Sequence, residues 1–127
     1  MDHPIVQKIL KEGINSVNLS MLDEISRKKI LSDASEKLCK QNKFVEAIEI
    51  MAIANDTNNL IKLGDIFLLE NNIDLATLCF IPTKDKQRLN NAAMLCIQAK
   101  NYKLAAKAYY AADNKQMSVF IQENFVV

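Results

Sequence analysis

The chain has 127 residues, half of them hydrophobic, with 16 basic and 15 acidic side chains but only two glycines and two prolines. Its length fits one domain that buries a core without disulfide or metal, and its near-neutral charge offers no electrostatic footprint for nucleic acid or anionic membrane. So few glycines and prolines exclude turn-rich sandwiches and barrels, and Gly13 and Gly64 stand too far apart for a phosphate-cradling loop, so the expected class is all-α.

Taken in order, Met1-Asp2-His3-Pro4 has no basic start followed by an apolar run, so no signal peptide is expected. Pro4 suits a first helical turn and Gly13 a stop. They predict an amphipathic helix over 4–12, with Ile5, Val6, Ile9 and Leu10 set against Gln7, Lys8 and Lys11. Ser20 with Asp23 reads as a capping-box variant that opens a longer helix over about 21–41. Arg27-Lys28-Lys29 lies among Asp23, Glu24, Asp33 and Glu36 and reads as a solvated face. Further helices are predicted over 44–54, 58–71, 73–82, 86–100 and 102–113. Pro82 should end its helix early. The tail over 115–124 carries Met117, Phe120 and Ile121 at helical spacing. No stretch approaches the roughly 20 apolar residues of a membrane span.

The helices repeat. From Phe44, Ala47, Met51 and Ala54 follow at fixed helical offsets; Ile73 is followed by Ala76, Phe80 and Thr83, and Tyr102 by Ala105, Tyr109 and Ala112. The anchors Phe44, Ile73 and Tyr102 are evenly spaced, and the step from one to the next defines the repeat interval. Each run reads large, small, large, small on one face. The preceding helices repeat at the same interval: Leu31, Leu60 and Leu89, then Leu38, Phe67 and Cys96. Between them Ser35, Gly64 and Ala93 are small, as a close helix crossing requires. Each unit is thus an antiparallel helix pair. Asparagines in the turns at Asn42, Asn71-Asn72 and Asn101 suit the left-handed conformation that ends a helix. The turns at 55–58, 82–85 and 113–114 supply capping oxygens.

Phe44-x-x-Ala47-x-x-x-Met51-x-x-Ala54 and its two copies resemble the second helix of a tetratricopeptide repeat. Leu60-x-x-Leu63-Gly64-x-x-Phe67 resembles the first. The resemblance covers residues 31 to about 114. Ser35 and Ala93 depart from its small glycine-type position, and Leu38 and Cys96 from its aromatic one. The repeats are also shorter than the usual length of about 34 residues. Leu63-Gly64-Asp65 with Leu75-Ala76 is similar to the short repeats of coatomer and intraflagellar-transport solenoids. The resemblance implies a right-handed superhelical stack of three antiparallel helix pairs, an α-solenoid with units at about 31–58, 59–86 and 87–114. An N-terminal helical cap at 4–30 and a C-terminal capping helix at 115–124 would flank it.

By the same resemblance the first helices line a concave face that binds a protein or peptide partner. Ser32, Glu36, Ile61 and Asp65 would lie there, with Lys62, Asn90, Asn91 and Met94. The alternative is that some of them are core, or are covered by the N-terminal helix. Glu36 and Asp65 would face a passing phosphate, so an RNA-reading repeat is not expected. Cys39, Cys79 and Cys96 are odd in number, far apart and without a CxxC pair, which predicts core packing in a reducing cytoplasm rather than disulfide or zinc. His3 stands alone, and Glu46 and Glu49 lack a His or Cys companion. No catalytic, cofactor or metal site is expected, and the reading is a non-enzymatic adaptor. The alternatives are a homodimerising module, through helix 4–12 or through Phe120, Ile121 and Phe125, and an enzyme whose site the sequence does not advertise.

Overall fold

The computed structural model describes residues 3–126. They form eight α-helices: α1 (Pro4–Glu12), α2 (Glu24–Lys40), α3 (Phe44–Ile53), α4 (Thr57–Leu69), α5 (Ile73–Phe80), α6 (Lys86–Gln98), α7 (Tyr102–Ala111) and α8 (Lys115–Phe125). Short 3-10 turns cover Ile14–Ser16 and Ile81–Thr83, and there is no strand among the described residues. No helix among them is long and apolar enough to cross a membrane. The chain divides into two compact units, one through Asp56 and one from Thr57.

In the first unit α1 packs on α2, and α2 on α3. Pro4 opens α1, and the His3 Nδ1 accepts the Ile5 N–H at 3.1 Å, so the lone histidine is a helix cap. Val6 and Ile9 are buried, so the apolar stripe of α1 is spent inside its own unit. The start of α2 differs from expectation. Asp23, not Ser20, caps it, its Oδ1 accepting from the Ser26 N–H at 3.3 Å. Ser20 instead donates its N–H to Asn18 Oδ1 in a local turn. Arg27 is not simply solvated, since its Nη2 donates to the Leu22 carbonyl at 3.1 Å and ties the incoming loop to the helix.

In the second unit each helix from α4 to α8 packs on the next. Gly64 of α4 faces the buried Phe80 ring of α5, and a Cβ at Gly64 would run into that ring. Ala76, Ala92, Ala93, Ala105 and Ala108 are also buried, so small residues bring the backbones together. Pro82 ends α5 at Phe80 and turns the chain through the 3-10 segment.

The turns carry the repeat most clearly. Among the described residues, those other than glycine with positive φ fall into two series: Asn42, Asn71 and Lys100, and Asn55, Lys84 and Asp113. Each series advances by the repeat interval. Asparagine is the residue expected at such points and fills three of them; Lys84, Lys100 and Asp113 fill the rest. The helix-closing bond recurs at the same interval, from the N–H of Lys43 to Leu38 O, of Asn72 to Phe67 O and of Asn101 to Cys96 O, at 2.8–2.9 Å. After four of the left-handed residues, Asn71, Lys84, Lys100 and Asp113, the next residue caps the following helix with its side chain. Asn72, Asn101 and Asn114 accept with Oδ1 from the N–H three residues on, and Asp85 does the same. The tail over 115–124 proves to be α8, which begins one repeat interval after α6, as α6 does after α4.

Candidate functional site

The residues of the expected partner face fall in both units. In the first unit Ser32 and Glu36 are exposed on α2. Glu36 lies 3.5 Å from Lys40, an exposed helical ion pair worth little. The Ser32 carbonyl accepts from the buried Ser35 hydroxyl at 3.0 Å, which satisfies that small crossing residue.

In the second unit Ile61, Lys62 and Asp65 lie on α4, and Asn90, Asn91 and Met94 on α6. Lys62 and Asn91 are exposed, and Met94 is 55% exposed. Ile61, Asp65 and Asn90 are half-buried. Asp65 is not free to meet a partner alone. Arg88 reaches from α6 and grips it with two parallel bonds, Nε to Oδ1 at 3.0 Å and Nη2 to Oδ2 at 2.9 Å. The same guanidinium donates Nη1 to Asp85 Oδ2 at 2.8 Å and lies 5.9 Å from the Phe80 ring centroid. Arg88 thus joins α4, the cap of α6 and the ring that fills the Gly64 crossing. Backbone and side-chain bonds from Arg88 hold the Asp85 carboxyl below its ordinary value, and Asp65 and Asp85 raise the Arg88 pKa. Asn90 Oδ1 accepts from Asn114 Nδ2 at 3.4 Å. Side chains open to a partner are therefore Lys62, Asn91 and Met94, beside an acid–arginine bridge in which two carboxylates share one guanidinium.

Nothing in the sequence singles out Arg88. Its counterparts at the repeat interval are Asn59 and Met117, so no periodic signal marks it. Equally unmarked is a groove of about 520 Å³ beside α7 and α8, lined by Ile81, Tyr110, Ala111 and Val119 and edged by lysines. The three cysteines form no disulfide; Cys79 and Cys96 are buried as expected, but Cys39 is only half-buried. Burial raises the Cys39 and Cys96 pKa values. Among the described residues no group of three or more His, Cys, Asp and Glu side chains could hold a metal ion. The chain matches no protein family, no curated protein and no solved structure.

Proposed function

We propose that this protein is a non-catalytic, cytoplasmic adaptor of tetratricopeptide-like helix pairs that binds a protein segment through its first helices. The two series of left-handed residues, evenly spaced along the chain, carry the reading. They support helix pairs α2–α3, α4–α5 and α6–α7 built to one plan, which present equivalent first-helix positions again and again. The right-handed superhelical winding that the resemblance implies belongs to this proposal. Lys62, Asn91 and Met94 supply the contact: one cation, one amide and one soft apolar side chain.

The test is quantitative affinity capture with wild-type protein and with a Lys62→Glu/Met94→Glu variant, both at exposed positions. Selective loss of the same captured proteins by the variant, with unchanged circular dichroism, is the expected result. An unchanged capture profile would overturn this face. Self-association is the second reading, favoured by Phe120 at 51% and Phe125 at 45% exposure on α8. Sedimentation velocity decides it, since a mass independent of concentration excludes a homodimer.

A further inference from the structure

A second exposed surface of the second unit lies beside α7 and α8, and it shares no residue with the proposed first-helix face. α8 has the register of a first helix, Ser118 taking the place of Leu60 and Leu89. In α6, the counterpart helix, Ala93 is buried. Gln122, the α8 counterpart of Ala93, is exposed, and no helix covers it among the described residues. α7 makes the same outward step. It packs on α5 and on the 81–83 turn. Tyr110, the counterpart of half-buried Ile81, is 64% exposed.

The result is the open groove of about 520 Å³ between these elements. Ala106 and Ser118 form its buried floor, and the Ser118 hydroxyl donates to the Ala106 carbonyl at 2.9 Å, so the floor holds no unsatisfied side-chain group there. Tyr110 and Val119 (50% exposed) offer apolar surface. The charged side chains that line it are Lys84, Lys107 and Lys115, all exposed, with no carboxylate among the lining residues.

We propose that this groove binds one α-helix of a separate partner protein, with an apolar stripe flanked by acidic residues. The helix would lie against α7 and α8 as α7 lies against the 81–83 turn and α6. Three cations of one sign around an apolar floor select an acidic edge and steer its approach. Gln122 argues against a second copy of this chain as the occupant. By register it takes the place of Gly64, which makes room for Phe80, and of the buried Ala93, so the incoming helix must carry a small residue where Phe80 and its counterpart Tyr109 stand in their own helices. The chain's own α7 also brings Lys103 and Lys107, the wrong sign for this rim.

The probe is a fluorescein-labelled synthetic peptide of residues 101–114 carrying Lys103→Glu, Lys107→Glu and Tyr109→Ala. Fluorescence anisotropy against the full chain should show saturable binding that weakens as salt rises. The unmodified peptide should bind at least tenfold more weakly. In the protein, Val119→Glu and the exposed pair Lys107→Glu/Lys115→Glu should each cost at least tenfold in affinity, while Met94→Glu leaves binding unchanged. The lysine pair decides the matter if Val119→Glu unfolds the protein. Absence of saturable binding, equal binding of the unmodified peptide, or indifference to the lysine pair would overturn the proposal. So would a dimer in sedimentation velocity that Val119→Glu dissolves, because the occupant would then be a second copy.

Discussion

Gly64 shows how much one hydrogen atom in place of a methyl group does for the second unit. Replacing it by alanine gains about 1 kcal/mol of helix propensity. The added Cβ meets the buried Phe80 ring, which has no solvent to move into. Overpacking costs roughly 1–3 kcal/mol, so Gly64→Ala should lower the urea midpoint. Gly64→Ala/Phe80→Leu should recover at least half of the loss; no recovery would place the strain elsewhere. Asp85 is the second test at this scale. Its lowered pKa means that its stabilisation is complete above the ordinary carboxylate value of 3.8 and is lost as pH falls through the lower folded value. Asp85→Ala should therefore cost about 1 kcal/mol near neutral pH. The gap between wild type and variant should narrow as pH falls below the ordinary carboxylate value of 3.8, as followed by thermal unfolding. A gap independent of pH would remove the carboxylate from the account. The small crossing residues are legible in the sequence because they recur. The Asp65–Arg88–Asp85 bridge is not, because two carboxylates meet one guanidinium only after α4 and α6 are placed.

Element by element, hydrophobic period and turn chemistry mark the helices in the sequence, and most ends fall within two residues of expectation. Two boundaries move for local reasons. Ser20 and Asp23 compete to cap α2, and Asn18 takes the Ser20 N–H out of the contest. Pro82 shortens α5 more than the apolar pattern indicates, since Ile81 already belongs to the 3-10 turn. The left-handed turns offer a direct test. Lys100 holds φ of 64°, a conformation that disfavours a residue with a Cβ. Lys100→Gly removes that strain against the extra freedom of glycine in the unfolded chain, a net gain of about 0.5–1 kcal/mol. Chemical denaturation should show a higher midpoint with unchanged slope. Asn71→Gly should gain less, because asparagine tolerates this conformation better. Equal gains at both sites would mean that residue type does not govern these turns.

For the molecule as a whole, the all-helical class and the repeat interval are legible in one sequence because every pair reports the same spacing. The division after Asp56 carries no such mark: Asn55 takes the left-handed turn of its counterparts, and no change in composition accompanies it. The lysine-edged groove is equally silent, since Lys84, Lys107 and Lys115 come from a turn, α7 and α8 and share no period. The packing of each helix mainly on its neighbours in sequence bears on how the chain reaches its native state. A helix separated from its partner by a turn of a few residues closes a short loop at small entropic cost. Topologies dominated by such local pairing fold in microseconds to milliseconds. Stopped-flow refolding of the full chain should accordingly be largely complete within about 10 ms, and a main phase lasting seconds would show that docking beyond adjacent pairs limits the rate. Speed of this kind leaves the apolar faces of half-formed pairs exposed only briefly, which limits the time in which they can stick to one another.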